Sequence, residues 1–163
     1  MLSDNFLNER KMTDELYKYI VQMADDIVNK ASKPIDDIII KLKRGFEDLS
    51  TKQLNDFMIQ LSIEAYYFGS KKDHAILKQV CADTIYKESL AKSFAISTGT
   101  QANRQNQALI DNIDKQAVKL LYDCAANNMK TKLDETHRMI NTLNSAIISR
   151  NAEAKLNVVR EDV

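Results

Sequence analysis

Two histidines, two cysteines and a few clustered carboxylates are the residues of this 163-residue chain that can carry catalytic chemistry. His74 and His137 lie far apart, and neither has a Cys, His or carboxylate at a strong metal-ligand spacing. Asp25–Asp26, Asp36–Asp37 and Asp134–Glu135 are sequence neighbours. Neighbours on a helix point about 100° apart, so these pairs do not converge for acid–base work. Asp111 and Asp114 can share a helix face, but no Glu-x-x-His accompanies them, so the di-iron bundle signature is missing. No P-loop, nucleophile-elbow or dinucleotide-binding glycine motif occurs. The expectation is a protein that is not an enzyme and uses no cofactor or metal. Cys81 and Cys124 have apolar neighbours and no Cys-x-x-Cys spacing, which predicts buried free thiols in a reducing compartment.

Binding chemistry is better represented. Lys87, Lys92 and Arg104 flank the stretch "AISTGTQANRQNQ" at 95–107, with Tyr86 and Phe94 nearby. Lys130, Lys132 and Arg138 form a second basic group, and Lys41, Lys43 and Arg44 a third. Cations beside aromatics can hold single-stranded nucleic acid through phosphate contacts and base stacking. On a helix, Phe94 reads more simply as core. Formal net charge is zero, yet its distribution is uneven. Residues 1–70 sum to −3, residues 71–155 to +4 and residues 156–163, with Arg160, Glu161 and Asp162, to −1. The basic region suits a polyanion, and the interspersed opposite charges equally suit an ordinary solvated surface.

The elements that must position these groups are helices. Three Gly and one Pro are too few for the turns of a sheet protein, and 28% charged residues indicate long solvated faces. A polar start, expected to fray, gives way to a helix capped by Thr13, with Leu16, Ile20, Met23, Ile27 and Val28 on its apolar stripe. "ASKPIDD" at 31–37 predicts a break, with Pro34 in the first turn of a new helix that Gly45 ends. "STKQ" at 50–53 is a capping box for a stripe of Leu54, Phe57, Met58, Leu61, Ala65 and Phe68. Gly69 and Ser70 predict the next break, before a helix over about 71–96. Gly99 is a helix stop, with Thr98 or Thr100 capping the next helix.

The last pattern, roughly 103–157, contains neither Gly nor Pro. Ile110, Ile113, Ala117, Leu120 and Cys124 alternate by three and four, as in a heptad seam. Leu133, Thr136, Ile140, Leu143 and Ile147 form a second seam in another register. The phase changes in "NNMKTK" at 127–132, which marks a stutter, a bend or a break into two helices. An unbroken helix of that length would span about 80 Å at ~1.5 Å per residue and needs a partner along it. Self-association through the two seams is the economical expectation. The fold class is therefore all-α: an elongated helical hairpin, coiled-coil-like, with a long C-terminal helix. Residues 1–49 read as an N-terminal helical extension and 50–163 as the helical body. The opening "MLSDNFLNER" lacks the apolar core of a signal peptide, and no apolar run approaches the ~20 residues of a membrane span. A cytoplasmic, membrane-free protein is expected.

The segments "LSIEA" at 61–65, "YKESLAKSFAISTG" at 86–99 and "LNSAIISRNAEAKL" at 143–156 resemble the phage recombination mediators of the UvsY family. The resemblance covers about residues 61–155. It implies a helical, ring-forming homo-oligomer that binds single-stranded DNA. It also implies partners, namely a RecA-like recombinase and a single-stranded-DNA-binding protein. The family's basic motif reads Leu-Lys-Ala-Arg-Leu, whereas "LAKSF" at 90–94 keeps only Lys92 as a cation. Lys87, Lys92 and Arg104 carry the expected phosphate contacts, with Lys130 and Lys132 as a further basic group. A different class of function, a helical protein-binding module without DNA such as a phage assembly factor or an inhibitor of a host defence complex, fits the zero net charge.

Overall fold

The computed structural model describes residues 4–161, with side chains from 14 to 156. Arg160, Glu161 and Asp162 thus lie outside the described side chains. Within the described residues the fold is all-α, with four helices and no strand. α1 spans Asp4–Lys43, α2 Thr51–Ile96, α3 Gln101–Ile110 and α4 Ile113–Glu161. The long C-terminal helix is present.

Some local signals act as expected. Ser50 caps α2, with the Gln53 amide donating to the Ser50 hydroxyl at 3.2 Å and Gln53 Oε1 accepting from the Ser50 amide at 2.8 Å. That reciprocal pair is the capping box. Gly99 adopts φ 104°, the left-handed region that lets a helix stop. Thr100 caps α3, and its side chain accepts from the Asn103 amide at 3.4 Å.

Three expected boundaries are not helix ends, and the phase change at 127–132, open between a stutter, a bend and a break, is not one either. α1 begins at Asp4, upstream of the Thr13 cap, and continues through Pro34. Proline removes an N–H and crowds the preceding turn. Lys71 donates to the Ala31 carbonyl in the turn before Pro34 at 3.0 Å. α2 runs through Gly69. A mid-helix glycine costs only about 1 kcal/mol relative to Ala, and buried Ala65 and Phe68 outweigh it. α4 continues through 127–132. The break lies instead at Asp111–Asn112, where the Asn112 side chain takes the Ala108 carbonyl at 2.8 Å. A short polar side chain thereby replaces the backbone donor that would have continued the helix.

The chain divides into two compact units: the segment ending at Asn29 with Lys72–Met129, and Lys30–Lys71 with the segment from Lys130 onward. The division at 49/50 read from the sequence falls inside the second unit, at the α1–α2 connection. Pro34, Gly69 and the phase change at 127–132 each lie within a few residues of a unit boundary.

The first unit is closed by small residues. Ala24, Ala75, Ala82, Ala108, Ala125 and Ala126 are buried, joined by Ile20, Val28 and Met129. α2 and α4 run antiparallel here, since Gln79 bonds Asp123 at 2.9 Å while Ser93 bonds Asn112 at 2.9 Å. The second unit has a conventional core of Ile35, Leu42, Leu54, Leu61, Phe68 and Leu143. Arg150 closes it by donating to the Leu49 and Phe46 carbonyls of the α1–α2 connection. Lys132 meets Asp36 at 2.5 Å, and Ser32 donates to the same carboxylate at 2.7 Å.

Candidate functional site

The groups expected to contact phosphate divide between the two units. Lys87, Lys92 and Arg104 belong to the first, and Lys130 and Lys132 to the second. Lys87 is 71% exposed but pairs with Asp83 at 2.6 Å, one turn earlier on α2. Asp83 also lies 3.7 Å from Lys119 of α4, which pairs with Asp123 at 2.8 Å. This alternation of charges ties α2 to α4. The hydrogen-bonded Lys87 ammonium, more than any other group, holds the Asp83 carboxyl below its ordinary 3.8, and Lys119 adds to the effect. Asp123 in the same way holds Lys119 above its ordinary 10.5.

Lys92 is exposed and makes no ion pair among the described residues. Arg104 is engaged within the chain. Its Nε and one Nη donate to the Phe94 carbonyl at 3.2 and 2.9 Å, and its guanidinium sits 4.3 Å from the centre of the Phe94 ring. Phe94 lies in the last turn of α2, where carbonyls lack helical donors. Arg104 is therefore a C-terminal cap, reaching back from α3 across the Gly99 turn. Lys130 is exposed, and Lys132 is committed to Asp36.

Between α2 and α3 lies an open groove of about 580 Å³. Lys87, Leu90, Ala91 and Phe94 line one wall, and Asn106 and Leu109 the other. It places an amphipathic trough near Lys87 and Lys92, both exposed on α2.

The two apolar seams behave differently. In the first, Ile110, Ile113 and Leu120 are 61, 50 and 43% exposed, with Ala117 and Cys124 half-buried. In the second, Leu143 is fully buried within the chain and Thr136 is buried, while Leu133, Ile140 and Ile147 are half-buried. The Thr136 hydroxyl is satisfied by the Lys132 carbonyl at 2.8 Å. Leu143 is spent on the core of its own unit and offers no surface to a second chain.

Cys81, expected to be buried, is exposed. It lies in an apolar stripe with Leu77, Ile85 and Val118, none of which the alanine-based core needs. Both histidines are on the surface. No cluster of His, Cys, Asp or Glu able to hold a metal ion occurs among the described residues. No described helix is long and apolar enough to cross a membrane.

Sequence reasoning missed Asn112, Arg150 and an uncharged Tyr–Ile face on α2. Asn112 and Arg150 act through the backbone carbonyls they reach, which residue type alone does not reveal. The α2 face did carry a signal: Ile59, Ile63 and Tyr66 repeat by four and three beside the core stripe. No protein-family model matches the chain, and no curated protein or solved structure is significantly similar to it.

Proposed function

We propose that the chain works by binding rather than catalysis, as a helical interaction protein that associates with copies of itself. One observation carries this reading. The first unit buries mainly alanines and leaves many of its large apolar side chains outside, among them Leu77 at 62%, Ile110 at 61% and Val80 at 56% exposure. Covering a half-exposed Leu or Ile gains on the order of 1 kcal/mol, so a partner on these faces supplies burial that the unit lacks. The seam Ile110, Ile113, Ala117 and Leu120 is the assembly surface in this reading, with Cys124 at its edge.

A second reading, the phage-type recombination mediator, is favoured by the exposed Lys87 and Lys92 beside the α2–α3 groove. In that reading each subunit adds a weak cationic strip to its neighbours', and binding to single-stranded DNA gains by avidity. A RecA-like recombinase and a single-stranded-DNA-binding protein are then its further partners.

One set of variants tests both. Light scattering is expected to give a mass well above the 18.6 kDa of one chain, and Ile113→Glu with Leu120→Glu is expected to lower it. Anisotropy of a labelled single strand reads the second function. Salt-sensitive binding lost in Lys87→Ala/Lys92→Ala supports the mediator, and no binding at low salt removes it. A monomer throughout the micromolar range removes the self-association reading.

A further inference from the structure

The second unit carries a surface of its own, distinct from the α3–α4 seam and independent of it. On α2, Ile59, Ile63, Tyr66 and Tyr67 are 48, 50, 79 and 58% exposed. They flank an open groove of about 630 Å³ whose far wall is Ile140, Asn141 and Asn144 of α4. Every residue lining this groove is uncharged, in a chain with 28% charged residues. The Tyr66 and Tyr67 rings meet edge-to-face with centroids 5.7 Å apart, which restrains two rings that otherwise project into water. Ile59, Ile63 and Tyr66 have the four–three spacing of a helix seam, turned away from the core.

We propose that this face docks a second copy of the chain, as a symmetric pair centred near Ile63. The charge pattern selects that occupant. A symmetric interface sets one patch against the same patch, with residues at the axis meeting their own kind, so charge near the axis repels itself and an uncharged centre does not. A partner presenting charge here would have to bury it unpaired. The same face of another copy meets the requirement, with tyrosine and isoleucine as anchors and asparagine amides for hydrogen bonds. Four such side chains and the stems around them offer roughly 500–600 Å² per copy, or about 1,100 Å² in the pair. That lies just under the usual range of specific interfaces, the size of weak or transient pairs.

The test uses the full chain in sedimentation equilibrium. Ile63→Glu and Ile63→Lys lie on an exposed position, and circular dichroism checks that each keeps its helices. Each alone sets like charges against each other across the axis and is expected to weaken association at least tenfold. An equimolar mixture of the two is expected to regain it, because unlike charges then meet. Leu120→Glu, on the α3–α4 seam, is expected to leave the rescue intact. Association of the single variants within twofold of the wild type overturns the proposal, and so does a mixture no stronger than its components. A loss of single-stranded DNA binding in Ile63→Glu with unchanged self-association assigns the face to nucleic acid instead and also overturns it.

Discussion

Asn112 shows how much one uncharged side chain can hold. It is 1% exposed, and its amide donates to the Ser93 hydroxyl at 2.9 Å and the Ala108 carbonyl at 2.8 Å. Its oxygen accepts from Lys115 Nζ at 3.0 Å. Three helices thus meet at one residue. Asn112→Ala leaves the Ala108 carbonyl and the Ser93 hydroxyl without this partner in a partly dry joint, where each loss costs about 1–3 kcal/mol. The expected result in urea denaturation is a lower midpoint with an unchanged slope, whereas Asp111→Ala next door shifts the midpoint little. Arg104 belongs to the same joint. Its type and position suggest phosphate binding, and only its reach to the Phe94 carbonyl identifies the cap. A sequence names a donor without naming its acceptor, so Lys87, Lys132 and Arg104 look equivalent there while three different partners engage them.

The helices were more legible than their joints. Ser50 with Gln53, Gly99 and Thr100 are local devices, complete within four residues, and each acts as its type predicts. Pro34, Gly69 and the phase change at 127–132 are also local, but the penalties they impose are outweighed by packing that local reading does not contain. Lys71 supports the turn before Pro34 from another helix, and Leu54, Leu61 and Phe68 anchor α2 in the core up to its glycine. The α2–α4 contact in the first unit leads to a pH prediction. Asp83 has a lowered pKa, so its contribution is complete above 3.8 and is lost as pH falls through the lower folded value. Lys119 has a raised pKa, so its contribution is complete below 10.5 and is lost as pH climbs past it. A melting-temperature profile is therefore expected to have limbs at both extremes. Asp83→Asn flattens chiefly the acid limb and Lys119→Gln chiefly the alkaline limb, each with a smaller effect on the other limb through the Asp83–Lys119 pair.

At the scale of the whole molecule, the all-α class came from the shortage of Gly and Pro, and that inference needed no contact map. The alanine core was not legible. On this part of α2 the buried positions are Ala75 and Ala82 while the larger Ile76, Leu77 and Val80 stay exposed, so apolar type and spacing alone do not pick out the core. Stability then depends on what covers those residues. If copies cover one another, the melting temperature rises with protein concentration. A tenfold increase is expected to add up to about 1.4 kcal/mol, a shift of a few degrees that calorimetry can read.

The partners of α4 also set an order of events during synthesis. Asn128 bonds Asp25 across 103 residues of chain, Lys132 meets Asp36 across 96, and Arg150 reaches Phe46 across 104. At ~5–20 residues per second, the earlier member of each pair waits about 5–20 s for its α4 partner to be made. During that wait Ile35, Leu54 and Phe68 have no α4 to complete their core, and the nascent hairpin exposes apolar surface that the finished protein hides. The long reach of α4 thus makes the half-made chain the species most in need of a chaperone.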